Sequence, residues 1–174
     1  HVGYYSVLAA RQVGPEGRVY SFEPEPDNHA LLLHNIELNG YQNIMAVREA
    51  LSNQAGAATL FLTALDSGRH SFYPSDLPGK GTLDIKTTTA DAFLESQGWP
   101  EVNLVKIDVE GSEIDVLNGM GQLLQKSENL NLIVEFNPVL LRRAGIDPME
   151  FLQDPPFLGS DALRFDAYWI DEAK

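Results

Sequence analysis

Residues 104–113 read LVKIDVEGSE, an apolar run that ends abruptly in Asp108, Glu110 and Glu113 around Gly111. Burying a carboxylate is costly unless something pairs with it. An apolar run that delivers acids at its tip therefore sets a strong condition on the fold. The run must be a buried strand whose end reaches a polar site or solvent. The pattern recurs. Glu23 closes VYSFE, and Glu135 stands near the end of LIVEFN. In an open α/β sheet, ligands bind outside the carboxyl ends of the strands. These acids are therefore candidate ligand contacts.

Strand-like and helix-like segments alternate along the chain, which predicts an α/β fold with a largely parallel sheet. Helices are expected over residues 4–13, 27–40, 90–97 and 112–120. Strands are expected over 18–24, 43–51, 56–63, 82–90, 103–109 and 129–137. Asp27 is the expected N-cap of the second helix. Ser112 with Asp115 forms an expected capping box at the fourth, with Asp in place of the usual Glu or Gln. Residues 64–81 read as a long Gly-, Ser- and Pro-bearing loop, a candidate lid or substrate loop. Residues 139–153 read as helical, 154–161 as loop, and FDAYWID as a last strand.

The 174 residues suit one domain, and a 44% hydrophobic content suits a packed core. The 12 basic and 25 acidic residues give a net charge of −13, which argues against a nucleic-acid partner. Cysteine is absent, which excludes a disulfide framework and a thiolate metal site. No apolar run reaches the ~20 residues of a membrane span. These features lead us to expect a cytoplasmic location.

Glu23 is the sharpest candidate. It follows Gly3 by about 20 residues, the spacing at which a carboxylate in a dinucleotide-type unit accepts hydrogen bonds from ribose hydroxyls. A solvated acid before a proline turn explains the same spacing. Asp108 still lies within its apolar run, so the dipole of the following helix accounts for it less well than for Glu110 and Glu113. His70 stands in the long loop and could act as a base, although a lone loop histidine is usually only solvated. Asp108, Glu135 and Asn137 offer hard oxygen ligands at adjacent strand ends, a set suited to Mg²⁺. Strand-end acids are common in this architecture, and the residues assign no metal.

VYSFEPEPDNHALLLHNIELNG, ALSNQAG and VNLVKIDVEGSEIDVLNGM followed by LIVEFNP resemble the FkbM family of S-adenosylmethionine-dependent methyltransferases. The likeness runs from about Val2 to Pro138, with a weaker echo in FDAYWIDE. It implies a class I methyltransferase fold, a Rossmann-like three-layer sandwich. It implies that Gly3 belongs to the glycine-rich cofactor loop, that Glu23 binds the ribose, and that Ala50, Leu51 and Ser52 lie near the adenine. Asp108 would face the methyl donor and the acceptor. HSF at 70–72 falls where the family has a Ser-containing loop.

The family's first strand, most of its glycine loop and its last strand have no counterpart here, so a single but incomplete domain over residues 1–174 is expected. The strands ending at Glu23 and Asp108 should then not be bonded directly to each other. The expected activity is methyl transfer to a hydroxyl of a small molecule or glycan, with Asp108 as first candidate base and His70 second. An NAD-dependent oxidoreductase stays open, because an acid after the second strand also suits an NAD ribose. So does a non-catalytic or degenerate nucleotide-binding domain.

Overall fold

The structure, a computed structural model, describes residues 1–64, 67–74 and 78–153. The expected loop at 154–161 and the expected last strand lie outside the described residues. Helix α1 (Tyr4–Val13) leads to strand β1 (Val19–Phe22). Helix α2 (Pro26–Leu38) then crosses to β2 (Ile44–Val47), which lies parallel to β1. Strand β3 (Ala50–Leu51) runs parallel to β5 (Gly79–Thr88), and β4 (Gly56–Thr63) runs antiparallel to β5. Helix α3 (Ala90–Ser96) precedes β6 (Leu104–Ile107). Helices α4 (Glu113–Asn118) and α5 (Gly121–Lys126) cross to β7 (Asn131–Val134), parallel to β6. Helices α6 (Pro138–Arg143) and α7 (Pro148–Gln153) follow. Helices alternate with mainly parallel strands, the α/β class that the sequence pattern predicts. Among the described residues, no helix is long and apolar enough to cross a membrane.

Among the described residues the strands form three separately bonded sheets: β1–β2, β3–β5–β4 and β6–β7. Among the described residues, no strand pairing joins β1 to β6. Side chains bridge the gap. The rings of Tyr20 and Phe22 on β1 meet Phe93 of α3 edge-on, with centroids 5.1 and 4.9 Å apart. Phe93 in turn packs on the main core, which gathers Ile107 of β6 with Leu117, Met120, Leu124 and Leu141. A smaller core of Ala50, Leu60 and Ile85 lies under the antiparallel ribbon.

The single strand expected over 43–51 is two. Glu23 donates its amide to Val47 at 3.0 Å, and the next residue, Pro24, has no amide with which to continue the ladder. The chain bends at Arg48 and Glu49 and enters another sheet, where the Ser52 amide reaches the Thr88 carbonyl at 2.9 Å. The second helix starts one residue before Asp27. Pro26 takes its first turn, and Glu25 caps it by accepting the Asn28 amide at 2.6 Å. The long loop is shorter than expected. It contains a 3₁₀ turn at Ser67–Arg69, and Ser71 bridges to Phe61 before β5 begins at Gly79.

Gly119, at the end of α4, is where the main core meets β3. A Cβ there would stand 2.0 Å from the carbonyl oxygen of Ser52, and its own carbonyl accepts the Asp91 amide at 3.1 Å. Gly121, two residues on, faces open space. Gly119→Ala is therefore expected to destabilise the protein by about 2–4 kcal/mol through forced backbone displacement. Gly121→Ala should be neutral or stabilising by up to ~1 kcal/mol. Urea unfolding of the two variants tests this, and equal midpoints would refute it.

Candidate active site

Five expected site residues converge. Glu23, Ala50, Leu51, His70 and Asp108 line one cleft of about 100 Å³, together with Pro24, Leu60, Ser67, Gly68, Ser71, Phe72, Val109, Glu110 and Ser112. It lies at the carboxyl ends of β1, β3 and β6, where the strand-end rule places a ligand. Two expected residues do not line it. Gly3 caps α1 in the left-handed region at φ 102° and packs against Leu32. Ser52 is buried behind β3.

Glu23 is only 7% exposed, yet it has a partner. Its Oε1 accepts the Glu25 amide at 2.9 Å. A buried carboxylate at a strand end is thus held by a backbone donor, and it lines the cleft.

The turn after β6 answers why acids stand at its tip. Glu113 is 2% exposed, and its Oε1 accepts the amides of Val109 at 3.2 Å and Gly111 at 3.1 Å. That carboxylate closes the turn backwards. Glu110 takes φ 53° and Gly111 φ 105°, a left-handed pair that reverses the chain and for which glycine is well suited. The expected capping box does not form. Ser112 makes no side-chain cap bond, and Asp115 instead accepts from Asn53 Nδ2 at 2.8 Å. Asp115 also shares a hydrogen bond with the Tyr73 hydroxyl. Burial, and after it the charge of Asp115, raises the Tyr73 hydroxyl above its ordinary pKa; burial also raises Asp115.

The 67–74 segment forms one wall of the cleft and is tied on three sides. Asn28 Nδ2 donates to the Ser67 carbonyl at 3.0 Å, and Ser71 exchanges backbone bonds with Phe61. Ser71 Oγ donates to the Glu110 carbonyl at 2.6 Å. The Thr63 amide donates to His70 Nδ1 at 3.1 Å. A nitrogen that accepts an N–H carries no proton, so the neutral ring is protonated on Nε2. His70 is therefore built as a hydrogen-bond donor and not as the base expected of it.

Asp108 and Glu135 sit side by side for a reason of register. Lys106 pairs with Ile133 and Ile107 with Val134, and the Glu135 amide continues the ladder to Ile107 at 2.9 Å. The next positions, 108 and 135, then fall on the face that carries Lys106. Lys106 Nζ lies 2.5 Å from Asp108 Oδ2 and 4.3 Å from the centre of the Tyr5 ring. One oxygen from each of Asp108, Glu110 and Glu135 lies within 4.8 Å of the others. Asn137, the third residue of the set expected for Mg²⁺, has its side-chain oxygen engaged elsewhere. Pro138 opens α6, Asn137 becomes its N-cap, and its Oδ1 accepts the amides of Val139 and Leu140 at 3.1 and 3.4 Å. Glu135 Oε2 is buried and meets no donor among the described residues. Burial, then the charges of Asp108, Glu110 and Glu113, push its carboxyl up to about 7 against the opposing pull of Lys106.

Residues 1–154 match the family model of the methyltransferase FkbM domain. The chain belongs to this family. It is 34% identical over 143 residues to the hexuronic acid methyltransferase AglP of Haloferax volcanii, covering 78% of this chain and 51% of that protein. It is 26% identical over 203 aligned positions to the methyltransferase sdnD of Sordaria araneosa, covering 99% of this chain and 75% of that protein. The crystal structure of methyltransferase FkbM from Methylobacillus flagellatus KT aligns with a TM-score of 0.49 at 16% identity, over 75% of this chain and 31% of that one. The chain thus spans about half the length of its Haloferax relative. Within this FkbM domain, Glu110, Ser71 and Glu113 are structural partners that the strand-end reading under-weighted. The signal for Glu113 was present: an acid two residues past a glycine turn can reach back to the turn's own amides.

Two outcomes follow. Glu113→Ala would strand two turn amides and should cost about 2–4 kcal/mol in urea unfolding, given ~1–3 kcal/mol per unsatisfied buried group. A loss under ~0.5 kcal/mol would refute the closing role. Glu135 holds its proton more tightly in the folded chain than its ordinary value of 4.5 allows. That contribution to stability is complete below the ordinary value and is lost as pH rises through about 7. Glu135→Gln, neutral throughout, should therefore unfold at higher urea than wild type near pH ~8, the gap closing towards pH ~5. A gap that does not change with pH would count against a raised carboxyl.

Proposed function

We propose that this domain is an S-adenosylmethionine-dependent methyltransferase that transfers a methyl group to a hydroxyl of a small molecule or glycan. The observation that carries the reading is the convergence of Glu23, Ala50, Leu51 and Asp108 on one strand-end cleft in a chain of the FkbM family. The chemistry of the donor set agrees. The cofactor is cationic at its sulfonium and ammonium and rich in hydroxyls at its ribose, and this cleft offers carboxylates. Glu23 would take ribose hydroxyls, and the backbone at Ala50 and Leu51 would border the adenine, with Ser52 buried behind them. An enclosed volume of about 100 Å³ seats part of such a ligand, because small-molecule pockets usually span roughly 300–1,000 Å³.

When bound, the cofactor supplies an electrophilic methyl group. This chain's own contribution is positioning and charge. The wall at 67–74 excludes water from one side. His70 Nε2–H can donate to an acceptor oxygen. Asp108, set by Lys106, faces the reacting end. The name of the Haloferax relative supports a uronic acid or related sugar as the acceptor class.

Calorimetric titration of S-adenosylhomocysteine into the full-length protein tests the reading. Binding is expected, and Glu23→Ala should weaken it by ~1–3 kcal/mol, the cost of leaving buried donors without their acceptor. A folded full-length protein that binds none would sink the proposal and turn attention to NAD or to a non-catalytic role.

A further inference from the structure

We infer that His70 determines acceptor specificity: its Nε2–H donates to an oxygen on the carbon next to the hydroxyl that is methylated, so the acceptor is a vicinal diol of the kind a pyranose ring carries. This inference rests on the methyltransferase reading above and narrows its acceptor class.

The backbone fixes the imidazole. The β4–β5 ladder shifts register between Leu62 and Thr63, and the Thr63 amide donates to His70 Nδ1 at 3.1 Å. Irregularities of this kind re-aim groups beside functional sites. The next residue is pinned as well. Ser71 exchanges backbone bonds with Phe61 at 2.8 and 3.2 Å, and its Oγ donates to the Glu110 carbonyl at 2.6 Å. A neutral ring whose Nδ1 accepts an N–H carries its proton on Nε2. That nitrogen meets no partner among the described residues, and His70 lines the cleft. The loop thus brings to the cleft a donor that the described residues leave unused.

The strand-end side of the cleft is acidic. Glu23, Asp108 and Glu110 line it. Lys106 engages Asp108 Oδ2 at 2.5 Å, and Oδ1 has no donor among the described residues. Loop and strand end meet at the Ser71–Glu110 bond, one residue from His70 and two from Asp108. The cleft is therefore polarised over a short span. Its loop offers an N–H, and its strand ends offer carboxylates, which when ionised only accept.

This polarity divides the acceptor's oxygens. The oxygen that attacks the methyl group needs a free lone pair, and its proton is best given to an acid. An N–H donor on that same oxygen would hold a lone pair back. His70 Nε2–H therefore suits a different oxygen, and the short span puts that oxygen on a neighbouring carbon. A carboxylate oxygen fits poorly, because a further anion would meet three acids. A second hydroxyl is uncharged, and it can accept from His70 while donating to an acid. On a uronic acid the ring hydroxyls would then enter the cleft and the carboxylate would stay outside. His70 keeps its proton throughout, so no covalent step is added.

Two measurements on the full-length protein test this. The first is nitrogen NMR spectroscopy of isotope-labelled imidazoles, with the His70 signals assigned by their loss in His70→Gln. A neutral ring protonated on Nε2 is expected, and one protonated on Nδ1 would overturn the inference. The second supplies methyl-labelled S-adenosylmethionine with methyl α-D-glucopyranoside and with D-glucuronic acid. For each sugar methylated, its deoxy analogues lacking one hydroxyl beside the methylated position are then compared. A methyl ether is expected, and one of those deletions should lower kcat/KM by roughly 10–100-fold, chiefly through KM, because the site's donor is left unpaired. In His70→Ala that preference should fall to within about threefold, while affinity for S-adenosylhomocysteine stays within about threefold of wild type. His70→Gln should keep most of the preference, since an amide can accept from Thr63 and still donate, but cannot serve as a base. Equal use of the sugar and its deoxy analogues by wild type would overturn the inference. So would a His70→Gln variant as impaired as His70→Ala, or a product that is an alkali-labile methyl ester. A wild-type protein that binds S-adenosylhomocysteine yet methylates neither sugar would also overturn it, because both present vicinal diols. Absence of S-adenosylhomocysteine binding refutes the methyltransferase reading itself, and is thereby told apart from failure of the donor.

Discussion

A buried charge that accepts two backbone amides fixes the geometry on which the site depends. Glu113 is almost wholly removed from water, which would be costly for an unpaired carboxylate. Its Oε1 takes the amides of Val109 and Gly111, and its position in the first turn of α4 adds the favourable end of a helix dipole. The chain between β6 and α4 is therefore closed into one shape. That shape puts Glu110 at φ 53° and sends its carbonyl to Ser71 Oγ. One side chain thus couples the strand end, the helix start and the loop wall of the cleft.

The three bonded sheets make this coupling more important. Among the described residues no backbone ladder joins β1 to β6, and side-chain contacts link the two halves of the cleft. Phe93 does this below the cleft, by meeting Tyr20 and Phe22 from one half while packing on the core of the other. The 67–74 wall does it above, by reaching α2 through Ser67 and the β6 turn through Ser71. Glu23 and Asp108 face one cleft because those contacts hold.

Much of this was legible in the sequence, and the parts that were not share a cause. Alternating apolar segments located nearly every element, because burial period and segment length are properties of the chain itself. Strand-end acids located the cleft, because topology forces those ends to one side. Local competition between neighbouring polar groups was not legible. Glu25 displaced Asp27 as a cap because Pro26 suits the first helical position. Asn137 read as a ligand and became a cap because Pro138 follows it. Asp115 left the capping box because Asn53 and Tyr73, distant in sequence, offered it better partners. The split of residues 43–51 needed the knowledge that β1 ends at a proline. Each of these outcomes turns on a bond whose second partner only the fold supplies.

The charge pattern beside the cleft follows from the register of β6 and β7. In a parallel pair, positions 106 and 108 share a face with 133 and 135, so Lys106, Asp108 and Glu135 meet without any loop being shaped for it. The turn then adds Glu110 and Glu113 from the other side. Four acids around one lysine cannot all be charged cheaply at low dielectric. The lysine goes to Asp108, two residues along its own strand, and the two turn amides go to Glu113. What remains is concentrated on Glu135, the group with a buried oxygen and no donor. Its affinity for a proton is thus a consequence of how its neighbours are satisfied. A cluster of acids of this kind favours positive charge beside it over negative. This asymmetry is set by the turn and the register, before any ligand arrives.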